Sequence, residues 1–231
     1  MASRKPSLDD RFATAFYPQT MGGIYVCGIN WGGRDDDEMA ALVRERRSFF
    51  SDAATGSYPY KARILKWFEA WGVKLATSGE EAGDLEHSIS QTNWLAERSL
   101  RSEHRAEAKY LLAHAEELVE VVEARDPRVI FFFGSCLGSA LERGLKAHHP
   151  QLEKCFGELA TPVKILSRDL PSEPKFNVRF FEFERCRVLC FPHPTGAKGI
   201  TNMQIARYAH EVREALFQSP VMMEPRRDLQ T

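Results

Sequence analysis

The stretch Ile24-Tyr25-Val26-Cys27-Gly28-Ile29-Asn30-Trp31-Gly32-Gly33 sets the reading of this chain. Four apolar, β-favouring residues run into a glycine-broken turn, the pattern of a buried strand whose carboxyl end opens into a loop. Asn30 is the polar side chain carried just past that strand. A second stretch of the same kind lies far downstream, where Arg187-Val188-Leu189-Cys190-Phe191 leads into Pro192-His193-Pro194-Thr195-Gly196. There His193 takes the place of Asn30. Ligands in open α/β sheets bind beyond the carboxyl ends of strands, so the two loops are expected to face one site.

Outward from these loops, strand and helix patterns alternate. Residues 60–71 read as a helix, because Ile64, Leu65, Phe68 and Trp71 recur at helical spacing before Gly72. A short amphipathic segment is expected at 44–50, and 89–95 reads equally as strand or helix. Residues 103–125 give the clearest helix, with Leu111, Ala115, Leu118 and Val122 on one face and Asp126-Pro127 ending it. Residues 129–133 form a buried-strand pattern, and Gly134-Ser135 turns into a helix reaching about 148. Further strands are expected at 162–166 and 180–183, and a closing helix at 202–217. This alternation predicts an α/β fold, a three-layer α/β/α sandwich around a mainly parallel sheet. One domain is expected over 21–218, between a loosely ordered lead-in at 1–20 and a tail at 219–231.

Composition narrows the function classes. Lys+Arg 31 against Asp+Glu 32 leaves a formal charge of -1, so no global field draws the chain to nucleic acid and any DNA contact must use a local basic face. The five cysteines, Cys27, Cys136, Cys155, Cys186 and Cys190, are odd in number and lack a C-x-x-C pair, which argues against a zinc ribbon or a complete disulfide framework. Reduced thiols in a cytoplasm fit this pattern. The first residues lack a signal-like apolar run and no segment reaches bilayer length, so a soluble, cytoplasmic monomer is expected.

Gly28-Ile29-Asn30 followed by His193-Pro194-Thr195 resembles the two signature loops of the uracil-DNA glycosylase superfamily, nearest its single-strand-selective and mismatch-specific branches. Tyr58-Pro59-Tyr60 leading into Trp67-Phe68 and the segment Thr92-Asn93-Trp94 are similar to intervening elements of that family, so the resemblance spans roughly 23–217. It implies a metal-free and cofactor-free hydrolase of DNA repair that cleaves the N-glycosidic bond of uracil or a related damaged base. Asn30 would hold the attacking water, with Trp31 beside it where the family carries proline. Tyr60 would stack on the extruded base, Asn93 would read its edge and His193 would stabilise charge on the leaving base. Thr195, Lys198 and Arg207 are the candidate DNA contacts, although Lys198 and Arg207 suit solvation of a loop and a helix equally well. The loop after His193 lacks a bulky apolar residue to fill the hole of a flipped base, so single-stranded DNA, or DNA with the base already extruded, is the expected partner.

Other readings stay open at this level. Asn30 also suits a helix cap, Asn93 a loop-ordering amide, and the acidic run at 35–38 a solvated cap rather than a metal site. Gly134-Ser135-Cys136-Leu137-Gly138 follows a strand and opens a helix, matching a nucleophile elbow with Cys136 as nucleophile, His193 as base and Asp169 or Glu182 as acid. A non-catalytic base or nucleotide binder that keeps the pocket is the third alternative.

Overall fold

The computed structural model describes residues 22–29, 58–77, 81–96 and 107–218. The predicted site residues Asn30 and Trp31, the segment at 44–50 and the acidic run at 35–38 lie outside the described residues.

Six strands form one sheet in the order β2-β1-β3-β6-β5-β4. They are β1 (Ile24–Gly28), β2 (Ile89–Asn93), β3 (Val129–Phe133), β4 (Lys164–Leu166), β5 (Val178–Glu182) and β6 (Arg187–Phe191). The four strands β2, β1, β3 and β6 run parallel, and β5 and β4 add an antiparallel edge. The mainly parallel sheet expected from the alternation is therefore present. The segment at 89–95, which reads either way in sequence, supplies strand β2.

Strands β1 and β3 are buried along their whole length, because helices cover both sides of the sheet. Successive side chains alternate between the two faces. Ile24 and Val26, Val129, Phe131 and Phe133, and Leu189 and Phe191 pack beneath α1 (Pro59–Ala70), α7 (Asn202–Ala206) and α8 (Ala209–Phe217). Tyr25 and Cys27, Ile130 and Phe132, and Val188 and Cys190 pack against α3 (Ala108–Ala113), α4 (Ala115–Arg125), α5 (Ser135–Lys146) and α6 (Pro150–Phe156). The short α2 (Asp84–Ser88) leads directly into β2. Two apolar cores thus flank the sheet, giving the three-layer arrangement.

The helices follow the sequence pattern with two breaks. The helix expected at 103–125 divides at His114, whose backbone leaves the helical region at φ -122 and ψ 34. Its carbonyl accepts a hydrogen bond from the Trp94 indole N–H at 3.2 Å, which ties the break to the end of β2. Asp126 then ends α4 in the left-handed conformation, ahead of Pro127. The closing helix divides at Arg207 and Tyr208, and Tyr208 is fully buried against Phe191. Periodicity marks the apolar face of both segments, but contacts to distant residues decide where each helix breaks.

The chain leaves β1 in one direction to reach β2 and returns across it to reach β3. The first crossover runs through α1 on one face, and the return runs through α3 and α4 on the other, as right-handed connections in opposite directions require. This reversal places a topological switch point at the carboxyl end of β1, where open α/β sheets form a crevice.

Candidate active site

Strand register brings the predicted residues together. Gly28 pairs with Asn93 at the ends of β1 and β2, and the ladder continues with Trp94 N–H donating to the Gly28 carbonyl at 2.9 Å. Counting by twos from Ile24 and Ile89, the side-chain positions of Gly28 and Asn93 belong to the face covered by α1, and the His193 ring meets Tyr60 of α1 from the turn after β6. Pro59 opens α1 with its fixed φ and sets Tyr60 in the first helical turn, at the same edge of the sheet.

Gly28 is the floor of this crevice. A Cβ there would lie 2.3 Å from Asn93 Oδ1 and 3.4 Å from Tyr60 Oη, so only glycine leaves room for both polar groups. Asn93 is 4 % exposed. The Tyr60 hydroxyl is buried and has no hydrogen-bond partner among the described residues. Burial pushes its phenol pKa well up, with the nearby Cys27 adding to the effect, so the group stays a neutral hydroxyl. An unmatched buried hydroxyl costs about 1–3 kcal/mol, a cost that a polar atom of a ligand would relieve. The Tyr60 and His193 rings meet at 5.6 Å between centroids with a 45° tilt. Three of the four principal predicted side chains, Tyr60, Asn93 and His193, therefore converge on the switch point.

The turn after β6 fixes the protonation of His193. The backbone N–H of Gly196 points to His193 Nδ1 at 3.0 Å and that of Thr195 at 3.3 Å. A backbone N–H can only donate, so Nδ1 accepts and the neutral ring carries its proton on Nε2. Burial also lowers the His193 pKa, favouring the uncharged ring. The turn is closed by Ala197 N–H donating to the His193 carbonyl at 3.1 Å. The result is an oriented, neutral N–H donor beside Tyr60.

The predicted DNA contacts separate. Thr195 belongs to the His193 turn, where its hydroxyl lies 3.3 Å from Nδ1, and Lys198 is exposed on the same loop. Arg207 makes a two-point ion pair with Glu173, at 2.5 and 2.8 Å, and donates to the Arg168 carbonyl at 2.7 Å. Its guanidinium braces the loop at 167–177 instead of standing out from the surface. Cys136 packs with the opposite core, and burial raises its thiol pKa to about 11 despite two backbone hydrogen bonds that oppose the shift. The acids proposed for that alternative are engaged elsewhere. Asp169 accepts from Phe176 N–H and Gln204, and Glu182 pairs with Arg187.

Two features escaped the sequence reading. Gly28 reads there as a turn former, yet its main role is to admit the Asn93 amide. Lys61 is 3 % exposed in the first turn of α1, on the stripe shared with Ile64, Phe68 and Trp71. A polar residue on an otherwise apolar helical stripe was the available signal. Among the described residues no cluster of acidic, histidine and cysteine side chains is arranged to hold a metal, and no helix is long and apolar enough to cross a membrane. Neither a scan of protein-family models nor a search of curated proteins finds a match to this chain.

Proposed function

We propose that the protein is a DNA glycosylase that hydrolyses the N-glycosidic bond of uracil or a related pyrimidine extruded into the crevice at the end of β1. The observation that supports this reading most is the His193 ring, locked by its own turn as a neutral Nε2–H donor against Tyr60, whose hydroxyl and Asn93 both border Gly28. Departure of a pyrimidine leaves negative charge on a carbonyl oxygen, and a preorganised donor in a poorly hydrated crevice stabilises it. Asn93 can accept from N3–H and donate to the 4-carbonyl of uracil, a pattern cytosine reverses. Tyr60 would stack on the base, and Asn30 would orient the attacking water through its amide oxygen. The partner in this reading is single-stranded DNA or an already extruded base, bound by a cytoplasmic monomer.

The test is incubation of the purified protein with uracil-containing single-stranded and duplex oligonucleotides, with alkali or heat revealing abasic sites. Strand breaks only after alkali, unaffected by a chelator, are the expected result. Absence of cleavage on every uracil substrate overturns the reading. Because Lys61 lies buried one residue from Tyr60, borohydride is added in parallel. A covalent protein–DNA adduct that disappears in Lys61→Gln would replace the monofunctional assignment with Schiff-base chemistry.

A further inference from the structure

Arg63 lies one helical turn beyond Tyr60 on α1, and residues three apart share a face. Its guanidinium donates through Nη2 to the carbonyl of Ile200, which ends the loop that begins at His193. The guanidinium carbon lies 5.9 Å from the centroid of the buried Trp67 ring, one further turn along, which limits the conformations open to the side chain. Arg63 makes no ion pair among the described residues, and its Nε is buried without a partner, so its strongest interaction is with this one carbonyl. The loop is held from the other side as well. Gly199, at φ +81, packs so closely on Pro174 that a Cβ would lie 2.8 Å from its ring, and the buried Gln204 donates to the Pro174 carbonyl at 3.1 Å.

We infer that Arg63 is the positioning residue that sets the His193 loop against the Tyr60 helix, fixing the two facing rings of the crevice relative to each other. It acts through Ile200 and touches no reacting atom. A charged donor to a carbonyl is stronger than a neutral one and the fork of Arg is rigid, so lysine reproduces the bond only in part. The inference deepens the proposed function, but its structural content can be read without substrate.

The experiment uses the full chain in three forms, wild type, Arg63→Ala and Arg63→Lys, with Arg179→Ala as a control. Arg179 pairs with Glu142 of α5, on the opposite face from α1. Nuclear Overhauser contacts between the Tyr60 and His193 ring protons report the relative placement of the two rings directly. Wild type and Arg179→Ala should show the same contacts, as the 5.6 Å centroid separation requires. Arg63→Ala should weaken or lose them, and Arg63→Lys should weaken them less. Unchanged contacts in folded Arg63→Ala overturn the inference. If that variant does not fold, unchanged contacts in Arg63→Lys overturn it instead. On a uracil substrate, kcat should fall about tenfold or more in Arg63→Ala with KM little changed, and Arg63→Lys should recover part of it. Absence of any wild-type cleavage removes the glycosylase reading while leaving the ring contacts to decide the positioning role.

Discussion

His193 differs from an ordinary surface histidine in the direction of its hydrogen bonds. Two backbone donors face Nδ1, and protonating that atom would oppose N–H to N–H. With its pKa lowered by burial, the folded protein resists taking up the proton that the unfolded chain accepts near the ordinary value of 6.5. Unfolding free energy should therefore fall as pH drops below 6.5, and His193→Gln should flatten that part of the curve in denaturant titrations across pH. Turnover should persist through pH 6.5 and decline only below it, so a pH–rate profile that requires a protonated histidine would contradict the donor role. Removing the donor in His193→Ala should cost about 2.7–4 kcal/mol of transition-state stabilisation, seen in kcat more than in KM. Gly28→Ala should match the activity loss of Asn93→Ala, because the new Cβ at 2.3 Å displaces the Asn93 amide, while circular dichroism shows the fold retained. Cys136 has a thiol raised to about 11, so alkylation at neutral pH should be slow and Cys136→Ser should leave glycosidic cleavage intact. Loss of a hydrolytic activity in that variant would favour the thiol-hydrolase alternative.

At the scale of elements, the strand–glycine–helix unit from β3 to α5 is explained by packing. A Cβ on Gly138 would lie 2.5 Å from Cys190 Sγ and 2.9 Å from its Cβ, so glycine lets α5 settle onto β6. Gly138→Ala should destabilise the protein by about 1–3 kcal/mol, read as a lower denaturant midpoint at unchanged slope. An unchanged midpoint would show that the helix can move away without loss. The opposite layer is held by aromatic contacts, with Trp71 4.9 Å from Phe191 and its indole N–H donating to the Ile205 carbonyl at 3.0 Å. That bond ties α7, and with it the end of the His193 loop, to the C-cap of α1.

For the whole molecule, the switch point lies at one edge of the sheet, and the formal charge of -1 provides no long-range attraction to phosphate. The loop from His193 to Gly199 offers no bulky apolar group, so filling the gap left by a flipped base has no obvious source there. Single-turnover cleavage should be faster on single-stranded uracil than on the same base in a Watson–Crick duplex at one salt concentration. Equal or faster duplex cleavage would call for a wedge elsewhere, and Met203 on α7, 70 % exposed, is then the first residue to replace.

The sequence by itself determined the layered α/β architecture, because apolar runs of strand length alternating with amphipathic helices have few other ways to bury their faces. It also marked His193, since the break after an apolar run is a local property, whereas Asn93, in a segment that reads as strand or helix, was marked only by the family resemblance. Tertiary structure decided what local pattern cannot carry. The order β2-β1-β3 makes the end of β1 the switch point, and the register of Gly28 with Asn93 turns a small residue into the floor of a crevice. The breaks at His114 and Tyr208, the engagement of Arg207 by Glu173 and the bond from Arg63 to Ile200 all join residues far apart in the chain. Helical and strand periods specify which face of an element is apolar, but the partner that meets a polar group is set only when distant elements pack.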